Sequence, residues 1–458
     1  MVTHDCGADA AGPSGRLAAE TLRGALGRRD FVRAVAAISA GAGVAGVAAA
    51  CSSSSPPVAP AASDFQILQP GQGELGADHY LPSVPDQVLW GYVPNVHAQP
   101  VLTMSSGQTI TVDAVSHEGI LEDQGRNPVE FFGGHGVDRA DVLDDAVAIA
   151  ADYRRTPRNF DKDGPHVITG PVFVEGAEPG DVLKIEILRS IPRVPYGVVS
   201  SRHGKGALAR TADGAAPAGI SLEEVMPPIA ADGRPSPDPT AYGNVSTFTS
   251  VEDGHGVMRY GDAQVRFPLR PFMGVMGVAF SQDTDLTAAT ANSIPPTVGG
   301  GNIDIRLLGD GATFYLPVFA PGALFYVGDP HMAMGDGEVA LTAMEGSLRS
   351  TYRLTVCKPG SGDAPSVAYR YPFGETAEAW VPIGLSDPDG SVGGQGGDLD
   401  IAMRRAVVNA LDFLEVDRSM DRATAYAYLS AAADFSVSQI VDRTVGVHGQ
   451  VYKSHFDT

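Results

Sequence analysis

The chain has 458 residues, with 54 aspartates and glutamates against 32 lysines and arginines and a formal net charge of −22. That charge argues against a nucleic-acid partner and against direct binding to an anionic membrane surface, since both need a basic patch. A hydrophobic fraction of 43% is enough for a globular core, and the 55 glycines and 34 prolines favour short strands and turns over long helices.

The N-terminal segment has the features of an export signal. Arg28 and Arg29 precede a weakly apolar run of mostly alanine and glycine at 34–50. Two arginines before such a run are typical of a twin-arginine signal. A permanent transmembrane helix is the alternative, but the run is shorter than the ~20 strongly apolar residues that a spanning helix needs. We therefore interpret residues 1–50 as a signal peptide and expect the mature protein at the outer face of the cell membrane or in the periplasm.

Cys51 follows this run and precedes a stretch rich in serine and proline. Small residues before a cysteine resemble a lipoprotein processing site, with Ala48 at a place that usually holds leucine. We predict lipidation of Cys51, with residues 51–63 as a flexible tether and the lipid as the protein's contact with the membrane. Cleavage near the alanine run without lipidation is the alternative.

From residue 64 onward the chain repeats one local theme, in which a glycine-containing turn leads into a segment of alternating polar and apolar residues. Segments of this kind lie at 109–115, 182–187, 313–319 and 338–341. Alternation with a period of two is typical of strands that have one buried face. Many short strands of this kind predict a β-sandwich or barrel-like fold over residues 64–358.

Helices are predicted only near the C-terminus. Apolar residues recur at helical spacing over 401–416, and Asp421 is a suitable N-cap for a second helix that runs to about residue 432. The tail at 436–441 alternates again like a strand. Residues 359–458 are therefore predicted to form an α+β part after a mainly β front.

A short polar window at 328–338 carries Asp329, His331, Asp336 and Glu338 between glycines. As a loop between apolar strands, it can offer an imidazole nitrogen and carboxylate oxygens to a divalent metal such as zinc, manganese or iron. The same groups can act as a general acid and a general base. A solvated turn whose acids cap backbone N–H groups is the alternative.

Two further clusters follow a predicted strand or a turn. His117 and Glu118 come directly after the segment at 109–115, and Asn302 and Asp304 follow paired glycines. Loops at strand ends often carry functional side chains, so His117 and Asp304 are candidate metal ligands and Asn302 is a candidate amide-binding group. For each of these residues, a hydrogen-bonded turn is the alternative.

Cys357 lies in the folded body, and the chain has no Cys-x-x-Cys pair, which argues against a thiolate zinc site. The segment around Cys357 alternates polar and apolar residues, which predicts a buried strand residue. A catalytic nucleophile is the alternative for this cysteine.

Five ordered motifs resemble those of the acetamidase/formamidase family. They are GPVFVEGAEPGD at 170–181, GNID at 301–304, YLPVFAPGALF at 315–325, GDPHMAMGDGE at 328–338 and SQIVD at 438–442. The resemblance implies a mainly β architecture with an α+β C-terminal part, a homo-oligomer, and hydrolysis of small aliphatic amides to ammonia and a carboxylic acid.

Within this resemblance we assign roles as a hypothesis. A divalent metal, with zinc as the first choice, would polarise the amide carbonyl and activate a water. Either Glu338 or Glu118 would take a proton from that water and return it to the leaving nitrogen, while Asn302 would orient the amide. The candidate metal ligands are His331, Asp304, His117 and Asp329, and the candidate catalytic residues are Glu338, Glu118 and Asp336.

Gly299 stands where many members of that family have histidine. Two other functions therefore stay open: hydrolysis of a different C–N bond, and binding of a solute by an exported protein on an amidase scaffold. A thiol mechanism, with Cys357 as its nucleophile, is a third alternative.

Overall fold

The computed structural model describes residues 65–202, 204–211, 214–226, 243–288, 291–391 and 397–457. The expected signal peptide at 1–50 and the expected tether at 51–63, which includes Cys51, lie outside the described residues. The described residues all belong to one compact unit. None of their helices has the length and apolar character needed to cross a membrane.

The described residues contain twenty strands, most of them short. In chain order they are β1 (His79–Leu81), β2 (Leu89–Trp90), β3 (Leu102–Ser105), β4 (Thr109–Ala114), β5 (Val167–Glu175), β6 (Val182–Pro192), β7 (Tyr196–Arg202), β8 (Asn244–Glu252), β9 (His255–Tyr260), β10 (Ala263–Pro268), β11 (Phe272–Val278), β12 (Gly300–Asn302), β13 (Thr313–Pro317), β14 (Phe325–Ala333), β15 (Met344–Glu345), β16 (Leu348–Cys357), β17 (Phe373–Glu375), β18 (Ala379–Leu385), β19 (Asp434–Gln439) and β20 (Gly446–Tyr452).

These strands form two large sheets. One has nine strands in the order β1-β4-β16-β6-β13-β17-β18-β20-β19. The other has eleven strands, with the path β10-β9-β8-β7-β15-β14-β11-β12 and with β5 joining β14 to β2 and β3. The two sheets contact each other through the ring of Phe325 on β14 and the ring of Tyr352 on β16, whose centroids are 5.5 Å apart. The mainly β fold class is thereby confirmed.

Four α-helices accompany the sheets in the described part of the chain: α1 (Pro128–Gly133), α2 (Asp144–Asp152), α3 (Leu399–Asp417) and α4 (Arg422–Ala432). The predicted C-terminal helices are confirmed as α3 and α4, whereas the expectation of helices only near the C-terminus is wrong, since α1 and α2 lie in the front part. The Asp421 side chain accepts a hydrogen bond from the Thr424 N–H, which satisfies one of the free donors at the start of α4.

The C-terminal residues extend the nine-stranded sheet. Strands β17, β18, β20 and β19 continue it beyond β13, and α3 packs on β18 and β20. Gly384 permits this close packing, because a Cβ there would collide with the backbone of Ala402 and Ala406.

Of the four strands predicted after glycine turns, three are confirmed as β4, β6 and β13, and the fourth, at 338–341, is wrong; the predicted strand of the tail is confirmed as β19. Glu338 and Leu341 have φ values of 47° and 111°, in the left-handed region that a strand does not use. The segment is therefore a turn. Val339 is 64% exposed, although the alternation of polar and apolar residues around it predicted a strand.

The predicted loop at 328–338 is also wrong in its first half. Asp329 and His331 belong to β14, which pairs with β5, β11 and β15 inside the eleven-stranded sheet. Every residue of β14 is buried. Asp329 and His331 therefore lie inside the protein rather than in solvent.

Candidate active site

A cavity of about 480 Å³ lies beside the buried residues of β14. Its lining includes titratable or amide side chains from several segments that are distant in sequence: His117, His166, Asn302, Asp329, Glu338, Glu345 and Asp442. A concave site with a few converging polar groups is the usual form of a small-molecule site.

Sheet topology brings these segments together. β14 carries Asp329 and His331 in the middle of the sheet, and β15 places Glu345 directly opposite His331. His166 immediately precedes β5, the other neighbour of β14. His117 follows β4, which belongs to the opposite sheet. The site therefore forms where the two sheets face each other.

One group of side chains consists of two histidines that flank a carboxylate. His117 Nδ1 lies 3.3 Å from Asp329 Oδ1, and His166 Nε2 lies 3.5 Å from Asp329 Oδ2. The other ring nitrogen of His166, Nδ1, is 3.0 Å from the Ser293 hydroxyl, which fixes the orientation of the ring. Two imidazoles and one carboxylate, with outer hydrogen bonds that orient them, are a typical ligand set for a catalytic zinc ion.

A second group surrounds His331. Its Nε2 atom lies 3.0 Å from Asp329 Oδ2, 3.2 Å from Glu345 Oε1 and 3.8 Å from Glu338 Oε1. Its Nδ1 atom lies 3.8 Å from Asp304 Oδ1. All of these side chains are buried, so one imidazole faces four carboxyl groups away from water.

The electrostatics of the two histidines beside Asp329 differ. Burial lowers the pKa of His117, but the negative charges of the adjacent Asp329 and Glu118 carboxylates outweigh burial and raise the pKa to about 10. Burial lowers the pKa of His166 to about 4, although the Asp329 carboxylate opposes it. His166 is therefore neutral at pH 7, the state in which imidazole binds a metal, whereas His117 must release a proton to bind one.

Most of the carboxyl groups repel one another. Burial raises the pKa of Asp304, Glu338 and Asp442 well above the usual range, and each of them is raised further by a neighbouring acid in this set. Burial, followed by repulsion from Asp329, raises the pKa of Glu345 to about 7. Such a concentration of buried acids is stabilised by a cation.

Several polar atoms of the site make no hydrogen bond to any described residue. These atoms are both ring nitrogens of His117, His331 Nδ1, both oxygens of Asp304, and single oxygens of Asn302, Asp329, Glu345 and Asp442. A buried polar atom without a partner costs about 1–3 kcal/mol, so these atoms indicate a bound ligand. Three sets offer ligand atoms that lie within 4.8 Å of one another: His117–His166–Asp329, Asp304–His331–Glu338 and Asp329–His331–Glu345. The residues present therefore fit a divalent metal.

Three of the acids also have an unusual backbone. Asp304, Asp329 and Glu338 have φ values of 45°, 52° and 47°. Residues other than glycine adopt this left-handed conformation at a cost of about 1–3 kcal/mol, and such residues concentrate at functional sites. The backbone strain and the unpartnered atoms coincide at one place in the molecule.

The model of the acetamidase/formamidase family matches residues 135–288 and 282–448 of the chain. The chain belongs to this family.

Relatives of this family with assigned names include the acetamidase of Mycolicibacterium smegmatis, 30% identical over 40% of the chain and 51% of the relative, and the formamidase of Methylophilus methylotrophus, 26% identical over 56% of the chain and 69% of the relative. The chain spans about half the length of the first of these. Solved structures of acetamidases from Bacillus halodurans and Yersinia enterocolitica share the fold at 23% identity. They give TM-scores of 0.57 and 0.59 over 82% and 83% of this chain and 98% and 93% of theirs.

In this member of the acetamidase/formamidase family, most of the predicted site residues lie together. His117, Asp329, Asn302 and Glu338 line the cavity. Asp304 and His331 are fully buried in contact with these residues. The four predicted metal ligands thus lie close together, but in two adjoining groups: His117 and Asp329 in one, and Asp304 and His331 in the other.

Glu118 lies next to His117 but points away from the cavity. It accepts hydrogen bonds from Arg202 at 3.0 Å and from Ser200 at 2.7 Å. Burial raises its pKa, but the Arg202 guanidinium and His117 outweigh burial and lower the pKa to about 2. A carboxylate this acidic and this firmly bound is a poor proton acceptor, so Glu118 is placed to position His117, 3.4 Å away, rather than to act as a base.

Asp336 is not part of the cluster. Both of its carboxylate oxygens accept hydrogen bonds from Arg306, at 2.7 and 2.9 Å, and the side chain is partly exposed. On the turn after β14, Asp336 lies outside the cavity, whereas Glu338 lines it.

Sequence reasoning missed His166, Glu345 and Asp442. His166 follows a Gly-Pro pair and Glu345 lies in a two-residue strand, and neither has a motif around it. Asp442 ends the SQIVD motif, so the resemblance did contain a signal for it.

Proposed function

We propose that this protein is a metal-dependent amidohydrolase that cleaves the C–N bond of a linear amide and releases ammonia and a carboxylic acid. The observation that carries the proposal is the buried, unpartnered set of imidazoles and carboxylates on the wall of the cavity. The names of the relatives, acetamidase and formamidase, support an amide as the substrate.

In this proposal His117, His166 and Asp329 hold the metal. Zinc suits this mixture of imidazole nitrogen and carboxylate oxygen. When bound, it supplies Lewis-acid polarisation of the amide carbonyl and lowers the pKa of a water. Asp304 and His331, expected from the sequence to be ligands, belong to the adjoining group, which offers donors for a second ion.

Two other side chains are assigned to binding the amide and to proton transfer. The Asn302 side-chain oxygen is buried and accepts no hydrogen bond from a described residue, so it is available to the N–H groups of an amide. Glu338 lines the cavity on a turn, outside the hydrogen-bonded strands. We assign to Glu338 the transfer of a proton to the leaving nitrogen, which must depart as ammonia.

The test is product formation from formamide, acetamide and propionamide, with ammonia and carboxylate measured together. We expect equal amounts of both products from the wild type, and a kcat lower by about 100- to 10,000-fold in Glu338→Gln, with the metal content unchanged. Asp336→Asn, two residues away on the same turn, is the matched control and should retain turnover. An unchanged kcat in Glu338→Gln would remove Glu338 from this role. A folded, metal-loaded protein that releases no ammonia from any of the three amides would contradict amide hydrolysis.

The thiol mechanism is tested by Cys357→Ala. Cys357 ends β16 and is fully buried, as predicted from its alternating segment. Burial raises the pKa of its thiol to about 11. We expect Cys357→Ala to leave kcat within about twofold of wild type, because a buried neutral thiol is not nucleophilic. Loss of ammonia release in a variant that unfolds at the wild-type temperature would restore the cysteine as the nucleophile.

A further inference from the structure

Arg443 is a cation of the cavity wall that the proposed chemistry does not use. It lies between β19 and β20, directly after Asp442, and is partly buried. Two other arginines of the cavity have carboxylate partners: Arg158 pairs with Glu122 and Arg202 pairs with Glu118. Among the described residues, none forms an ion pair with Arg443 or accepts a hydrogen bond from its side chain.

The backbone at Arg443 is strained. Its φ is 66°, and the Thr444 N–H donates to the Asp442 carbonyl at 2.6 Å, which closes a three-residue turn around Arg443. Glycine is the residue that adopts this conformation without cost. A long charged side chain in such a tight turn is the kind of outlier that indicates a functional constraint.

Arg443 shares its cavity with the cluster. The same cavity is lined by Arg443, Asn302, Asp329 and Glu338. A ligand in this cavity can therefore contact both Arg443 and the cluster. The cavity of about 480 Å³ has room for more than formamide or acetamide.

We propose that Arg443 binds a carboxylate of the substrate, and that the enzyme hydrolyses the monoamides of short dicarboxylic acids. A guanidinium matches a carboxylate with two parallel hydrogen bonds. In a protein with a net charge of −22, an anionic substrate needs such a local cation. This inference rests on the proposed amidase function of the same cavity.

The alternative role for Arg443 is to offset the negative charge of Asp442 and the acids behind it. The two roles differ in what a substitution changes. Loss of a counter-charge alters turnover of every amide and the metal content together. Loss of a substrate contact alters the preference between charged and neutral amides.

The experiment compares succinamate with butyramide, a neutral amide of similar length, in the wild type, Arg443→Gln and Arg443→Lys. We expect the ratio of kcat/KM for succinamate to that for butyramide to fall about 10- to 100-fold in Arg443→Gln, mainly through KM. Arg443→Lys keeps the charge but loses the paired geometry, so it should recover part of the ratio. Arg443→Gly relieves the turn and removes the side chain, so it provides a second, well-folded variant with the same expected loss.

An unchanged ratio, or an equal loss for both amides, would overturn the proposal. Calorimetric titration of succinamate separates this failure from failure of the amidase function. Binding of succinamate that Arg443→Gln weakens, without ammonia release, would retain the carboxylate site and reject the hydrolysis. Turnover of butyramide with no preference for succinamate would retain the amidase function and reject the carboxylate site.

Discussion

Replacement of Gly274 by alanine is expected to lower amide turnover by at least ~100-fold, because displacement of catalytic groups by about an ångström has an effect of this size. Gly274 lies on β11 against the cluster. A Cβ at this position would be 2.5 Å from Asp304 Oδ1, 2.6 Å from His331 Cε1 and 2.7 Å from Asp329 Oδ2. All three side chains are buried and cannot move into solvent, so they must leave their present positions.

The measurement is ammonia release with metal content and thermal unfolding followed in parallel. Gly335→Ala is the matched control, because a Cβ there meets no atom within 4 Å and the residue adjoins the same turn as Glu338. We expect the control to retain both turnover and metal. Turnover within tenfold of wild type in a folded Gly274→Ala protein would contradict the assignment of these side chains to the active centre.

Asp329→Asn should produce the second large loss. Asp329 contacts His117, His166 and His331, and these contacts, against the effect of burial, hold the pKa of its carboxyl well below the usual range. The asparagine side chain has nearly the same shape as that of aspartate, but it lacks the negative charge that attracts a metal and the three imidazoles. Loss of a group that only supports a metal ligand costs about 10- to 100-fold in metal affinity or activity. Asp329 is itself a proposed ligand, so we expect zinc affinity and ammonia release each to fall by at least ~100-fold.

Zinc binding to Asp329→Asn is measured by titration against a chelator of known affinity, with Asp336→Asn as the control for loss of one negative charge nearby. The control residue is bound to Arg306 and lies outside the cavity, so its variant should bind zinc as the wild type does. Wild-type zinc affinity in Asp329→Asn would show that the metal lies elsewhere.

The sequence predicted the parts of the fold that depend on local rules. Helix α4 begins where Asp421 caps it, and β6 follows the alternation of its residues. The rule failed at Val339 because alternation over a few residues cannot detect left-handed φ values at the residues around it. It also failed at β14, where the polar residues predicted a loop between strands. Periodicity distinguishes polar from apolar side chains, but not water from a buried polar cavity.

The site residues could be predicted where they share a motif or follow a predicted strand or turn, as His117, Asn302 and Asp304 do. Asp329, His331 and Glu338 share one short window, and a motif marked them. His166 and Glu345 reach the same cluster because β5 and β15 are the strands that pair with β14. That pairing is a property of the sheet order, and no pattern within either segment encodes it.

The central claim is that a metal held by His117, His166 and Asp329 is required for amide hydrolysis. The most direct test is to remove metal from the purified protein by chelation and then to measure ammonia release from acetamide as zinc is returned in steps. The account predicts that chelation abolishes release, and that activity then rises with bound zinc to a plateau at about one ion per chain, as for a three-ligand catalytic site. Full activity in the metal-free protein would contradict it.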